Sequence, residues 1–191
     1  MAKRPDPFRI ALFTLAGLVL SSANARAGAN KFDLGFGFYS FTAKTSTGSG
    51  SNSGLGLYSL NFRRAITPRF ELALGYTVYF SKLVSGDSGS GLDLGMNFYP
   101  LTFSGPVEAS GEGTKIELEQ LWRPYIGATF NQRNFQSVQT TYTGFGVAVG
   151  LERVLNETMN LNALFRYLKL NGARGSTGSE MNTSVGISLK F

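Results

Sequence analysis

Between residues 70 and 83 the chain alternates. Phe70, Leu72, Leu74, Tyr76, Val78 and Phe80 fall on one side of an extended strand, and Glu71, Ala73, Gly75, Thr77 and Tyr79 fall on the other. Successive side chains of a strand point to opposite faces, so a period of two makes one surface apolar and leaves the other polar. The same texture recurs along the chain in segments of about ten residues, separated by stretches rich in Gly, Ser, Thr and Asn. Nothing with a helical period of comparable length interrupts it. A chain of this kind is restricted to all-β architectures.

Eight segments are expected: 31–43, 54–64, 70–83, 91–101, 121–132, 141–153, 159–170 and 180–191. In the first, Phe32, Leu34, Phe36 and Phe38 share a face, and in the second Tyr58, Leu60 and Phe62 do. The connections at 65–69 and 154–158 are tight, whereas those at 44–53, 84–90, 133–140 and 171–179 read as polar loops. The segment Thr102–Gln120, with Gly105-Pro106 and four glutamates, is too long for a turn on the same side as the tight ones.

The first 27 residues read as a cleaved secretory signal, and 28–191 as one mature domain. Lys3, Arg4 and Arg9 precede an apolar run from Ile10 to Leu20, and Ala25-Arg26-Ala27 is an A-x-A cleavage site. That run falls short of the ~20 residues of a spanning helix. Four basic residues and one acidic residue lie in the leader, so its removal lowers the formal charge from +6 to +3. Nucleic acid is therefore not an expected partner, since no basic stripe interleaves with aromatics on one face. The absence of cysteine excludes disulfides and thiolate metal sites, and the absence of histidine removes the commonest general base and metal ligand. No catalytic, metal or cofactor residues are expected. The mean hydropathy of −0.02 is what alternating apolar and polar faces produce when they cancel.

In lipid every backbone polar group must pair internally, so a sheet that spans a membrane has to close. The reading that follows is an eight-stranded antiparallel up-and-down transmembrane β-barrel, with an interior just wide enough for side chains to fill. Alternation assigns Arg63, Glu71, Asp93, Arg123, Glu152, Arg166, Glu180 and Lys190 to the lumen, four basic and four acidic, joined by Tyr99 and several asparagines. A balanced set can pair, and a structural polar core is expected in preference to a conduit. Inward glycines such as Gly144, Gly146 and Gly150 leave room for long side chains opposite. On the outer face Phe62, Phe70, Phe80, Phe98, Trp122, Phe130, Tyr142 and Tyr167 are placed as interface aromatics. Lys44, Lys82, Arg133 and Arg174 are read as rim charges, solvated or set against lipopolysaccharide phosphates.

The last segment is apolar at Met181, Thr183, Val185, Ile187, Leu189 and Phe191, and polar between. It resembles the C-terminal signal strand of bacterial outer-membrane barrels, carried by Phe191 with Leu189, Ile187 and Val185 at every second position before it. The whole of 31–191 is similar to the small eight-stranded outer-membrane proteins, the OmpA-barrel/OmpX/OmpW-like group. That resemblance implies a bacterial outer-membrane location in a Gram-negative cell and a monomer. It also implies a final strand that the barrel-assembly machinery reads and that closes the barrel against the first. The expected function is non-enzymatic, structural or surface-interacting, with outer-membrane lipid and lipopolysaccharide as surroundings. A narrow, porin-like channel is one alternative. A soluble periplasmic lipocalin-like barrel, with its apolar face inside, is another. A lipid A-modifying barrel enzyme of the His–Ser kind is disfavoured because the chain has no His.

Overall fold

The computed structural model describes residues 30–80, 88–101, 121–135 and 140–191. The leader at 1–27, the Thr102–Gln120 segment, and Lys82 and Leu83 lie outside the described residues. The eight strands are β1 (Asn30–Thr45), β2 (Gly48–Thr67), β3 (Phe70–Phe80), β4 (Ser88–Phe98), β5 (Trp122–Phe135), β6 (Thr140–Val154), β7 (Met159–Asn171) and β8 (Thr177–Lys190). They form one closed barrel in sequence order, every neighbouring pair antiparallel.

Closure is made by β1 and β8, in register from Lys31↔Lys190 to Lys44↔Thr177. Beyond Lys190, Phe191 still exchanges backbone hydrogen bonds with Asn30, at 3.1 and 3.3 Å. The end of the barrel that holds this junction and the β2–β3 and β6–β7 turns is called the near end. The far end holds the β1–β2 hairpin and the β7–β8 turn.

Several strands run further than composition suggests. The tract Gly48–Ser53 reads as a polar loop, yet it is strand, because each of its residues pairs with β1 (Lys44↔Ser49, Phe41↔Asn52). A register shift between Gly37 and Tyr39 accommodates one extra residue of β2 and bends the hairpin. β5 continues through Phe135 and β8 begins at Thr177, so the connection from β7 to β8 shortens to 172–176. Pro124 lies on β5 beyond Phe98↔Ile126, the last pair with β4, where a missing N–H interrupts no ladder on that side.

The barrel is apolar outside and charged inside. Phe145, Val147 and Val185 are 73%, 60% and 56% exposed on its outer surface. Lys31, Asp33, Arg63, Glu71, Asp93, Arg133, Glu152 and Glu180 are buried within. Inward glycines make the space for this interior. A Cβ at Gly91 would run into the Arg133 guanidinium, one at Gly150 into the Tyr125 ring, and one at Gly146 into Leu168.

Candidate functional site

The lumen is stratified along the barrel axis. Nearest the chain-end junction is a charged layer built from β1, β2, β3, β5 and β6. Lys31 Nζ lies 2.6 Å from Glu71 Oε1 and 3.0 Å from Glu152 Oε2. Arg63 Nη2 donates to Asp33 Oδ1 at 2.8 Å and to Ser188 Oγ at 3.0 Å, and Nη1 is bonded to Glu152 and Glu71. Tyr99, just past the end of β4, donates from its hydroxyl to Glu71 Oε2 at 2.7 Å and accepts from Arg63 Nη1 at 2.9 Å. Arg123 completes the layer from the rim. Its side chain is 24% exposed, lies 3.9 Å from Glu152 and stacks 4.7 Å from the centre of the Tyr99 ring.

The next layer is smaller. Arg133 Nη1 donates to Asp93 Oδ1 at 2.6 Å, and Nε donates to Glu180 Oε2 at 2.8 Å. Arg166 Nη1 holds the other Asp93 oxygen at 2.7 Å, and Thr77 donates to it at 3.0 Å. Glu180 is further satisfied by the Tyr79 hydroxyl at 2.9 Å and Asn182 Nδ2 at 2.7 Å. Between the two layers lies a cavity of about 30 Å³ lined by Arg63, Arg166, Tyr125 and Thr129 among others, room for about one water.

Toward the far end the lumen turns apolar. Tyr39, Phe41, Leu57, Phe135, Tyr142, Leu168 and Leu170 pack over Tyr79. Ring centroids of Phe41 lie 4.4 Å from Phe135 and 5.2 Å from Tyr142, and those of Tyr39 and Tyr79 are 5.0 Å apart edge to face.

The ions paired with one another in each charged layer balance. Lys31, Arg63 and Arg123 face Asp33, Glu71 and Glu152; Arg133 and Arg166 face Asp93 and Glu180. Ions in a low-dielectric interior are tolerated when they are paired and their remaining lone pairs and protons are bonded. The ties cross the lumen, β1 to β6, β2 to β6, β4 to β7 and β5 to β8, so they also fix the barrel cross-section. Replacing Tyr99 by Phe removes a donor to one buried carboxylate and an acceptor from a guanidinium. The expected cost is about 1.5–3 kcal/mol, read as a lower urea midpoint of the folded barrel in lipid vesicles.

Of the residues that alternation assigns to the lumen, Arg63, Glu71, Asp93, Glu152, Arg166 and Glu180 are buried there, while Arg123 and Lys190 are half-buried toward the near rim. Three ions of the two layers were not among them. Lys31 and Asp33 alternate with the outward Phe32 and Leu34, which is the signal that would have placed them inside. Arg133 is the larger correction. It is not a rim charge but a fully buried one, because β5 runs past it and its place in the two-residue period is inward. Tyr142 corrects likewise. It is buried in the far-end apolar layer and not an interface aromatic, since it shares parity with the inward Gly144, Ala148 and Glu152.

Phe62, Phe70, Phe80, Phe98, Trp122, Phe130 and Tyr167 lie on the outer surface. Phe70 and Phe98 pair at 5.0 Å and Phe62 and Phe191 at 6.4 Å near the chain-end junction, where Arg153 also stacks 5.2 Å from Trp122. On β8, Val185, Ile187 and Leu189 face outward beside β1.

No protein-family model and no curated protein matches the sequence. Solved structures do match. Neisserial surface protein A has 16% sequence identity and a TM-score of 0.56, the match covering 87% of this chain and 100% of that one. The outer membrane protein OprG from Pseudomonas aeruginosa has 14% identity and a TM-score of 0.51, covering 87% of this chain and 98% of that one. Both the strand order and these matches give the chain the fold of the small eight-stranded outer-membrane β-barrels.

Proposed function

We infer that this protein is a non-enzymatic, integral outer-membrane β-barrel with a structural or surface-interaction role, its lumen packed by its own side chains. The observation that carries the reading is the distribution of faces. A continuous apolar surface on the outside of a closed barrel, around an interior with nine buried ions among the described residues, suits a chain dissolved in lipid. A soluble ligand-binding barrel needs the reverse, an apolar lumen and a polar exterior. The packed-lumen half of the reading is supported by the two layers of paired ions and the apolar layer above them. The cavity between the charged layers is about 30 Å³, enough for about one water and not for a solute. The non-enzymatic half is supported by the commitment of each buried carboxylate among the described residues to a cation or hydroxyl partner.

In this reading the near end faces the periplasm and the far end the cell exterior, with the leader removed at Ala27 and the chain inserted by the barrel-assembly machinery. Membrane fractionation, with gel electrophoresis of boiled and unboiled samples, tests it. The expected result is recovery in the outer membrane and a heat-dependent mobility shift, with no discrete conductance in planar bilayers. Recovery in the soluble periplasm would overturn the membrane assignment, and discrete conductance would replace the packed core with a channel.

A further inference from the structure

The far end of the flank formed by β7, β8 and β1 carries cations without a counter-charge among the described residues. Lys44 on β1 is in register with Thr177 on β8, and Thr177 with Asn171 on β7. Lys169 lies two residues before Asn171, in register with Ser179. Both lysines are exposed and alternate with inward neighbours, Lys44 with Ala43 and Lys169 with Leu168 and Leu170. The turn that joins β7 to β8 presents an exposed Arg174 at its tip. Among the described residues, Asp33, Glu71, Asp93, Glu152 and Glu180 are buried in the lumen, and Glu157 belongs to the near-end turn. No described carboxylate stands at this end.

Arg174 is held in an unusual conformation. Its backbone is left-handed, with φ 56° and ψ 33°, the one positive φ among the described non-glycine residues, and Gly175 follows with φ 75°. The turn is closed by the Ser176 N–H on the Ala173 carbonyl at 3.1 Å and by the Ser176 hydroxyl on the same oxygen at 2.7 Å. Gly172 beneath it is packed against the Tyr142 ring. A turn with two successive left-handed residues favours Asn or Gly at both. A long cationic side chain is a poor choice there for folding, and such outliers concentrate where a side chain is used.

Level with Lys169 the same strands carry hydroxyls, Ser179 and Thr42, and below that rung an apolar surface that includes Phe38, Tyr167 and Met181. A soluble polyanion would use only the top of this arrangement. A phosphorylated, multiply acylated lipid uses all of it, with phosphates among the cations and chains along the strands. We propose that Lys44, Lys169 and Arg174 bind the phosphates of an acylated glycolipid of the lipid A class, held against the β7–β8–β1 flank in the outer leaflet. The proposal rests on the membrane reading above, with the far end outward.

The test uses the folded protein purified in detergent and mixed with bis-phosphorylated, hexa-acylated lipid A, with retained lipid read by native mass spectrometry. Dephosphorylated lipid A and soluble heparin serve as comparisons. Arg174→Gly keeps the turn, since glycine adopts a positive φ freely. It should reduce lipid A retention about fivefold, and a Lys44→Gln, Lys169→Gln, Arg174→Gly triple variant by tenfold or more. The dephosphorylated lipid should be retained by neither wild type nor variant above the level of the triple. Equal retention by wild type and triple variant overturns the proposal, as does equal retention of the dephosphorylated lipid. Displacement of lipid A by heparin at equal concentration reassigns the cations to a soluble polyanion and overturns the lipid assignment. Heat-dependent mobility of each preparation separates the two levels. If the wild type is not a membrane barrel the underlying reading fails, whereas a correctly inserted triple variant that keeps its lipid A sinks the site alone.

Discussion

Replacing Arg133 by alanine is expected to lower the unfolding free energy of the barrel by about 3–5 kcal/mol, the range for breaking a buried ion pair from one side. Arg133 is the one group that spans the second charged layer, with Nη1 on Asp93 and Nε on Glu180. Without it Asp93 keeps Arg166 and Thr77, but Glu180 keeps only neutral donors, Tyr79 and Asn182. The cost therefore falls mainly on Glu180, a carboxylate left buried beside the apolar layer with no cation. Two further variants follow from this. Arg133→Lys should recover only part of the loss, because an ammonium is a single point charge and cannot present the planar fork that reaches both carboxylates. Glu180→Gln in the alanine background should recover more, because it removes the uncompensated charge itself. Urea unfolding of the vesicle-inserted barrel measures all three as a double-mutant cycle. An Arg133→Ala variant within about 0.5 kcal/mol of wild type, the range of an ordinary surface substitution, would show that the layer is hydrated and not packed.

Arg133 also marks how far the sequence could be read. The eight segments, their antiparallel order and the sign of each face were legible because the two-residue period is a direct image of strand geometry. Boundaries were less legible. At the far end the strands pass into Gly, Ser and Thr, which read as loop by composition, but the hydrogen-bond ladder holds them extended whatever their side chains. Gly48–Ser53 is strand for that reason alone. The composition boundary of β5 at Gln132 falls three residues short of the strand end at Phe135, and parity is lost for everything beyond it. Arg133 and Phe135 are inward by the period that runs through Arg123 and Tyr125, although their surroundings have the composition of a loop. Tyr142 is a different case: its parity points inward and the preference of aromatic rings for the membrane interface points outward, and its packing against Phe41 follows the parity.

The pairing inside the lumen was legible only as a balance. Alternation delivers residues to the interior without saying which will meet, because partners come from strands on opposite sides. Lys31 and Glu152 are 121 residues apart in sequence and Arg63 and Glu152 are 89 apart. What joins them is the narrowness of an eight-stranded barrel, where long side chains from facing strands overlap at the axis. The segregation into two layers of paired, balanced ions with an apolar layer above has the same origin. Charge cannot be left over within any one slice of the cylinder, so a balance that alternation shows only for the whole lumen is met slice by slice.

Val147→Arg is the substitution that separates a barrel in lipid from a barrel in water. Val147 sits at the middle of β6, 60% exposed on the outer surface, in register with Ala128 and Tyr167. On a soluble barrel an arginine at such a position is an ordinary surface change, within about 0.5 kcal/mol of neutral. At the midplane of a bilayer it must be desolvated or must draw water and headgroups inward, at about 2–4 kcal/mol. The control is Thr141→Arg on the same strand and the same face, six positions nearer the far end. There the penalty should shrink to about 0–1 kcal/mol, because the guanidinium reaches the headgroups. The decisive quantity is thus the difference between two arginines on one strand, measured by urea unfolding from vesicles. A steep dependence on position along β6 requires an apolar layer around the barrel with its centre near Val147, whereas equal and small penalties at both positions would require water around the whole of it.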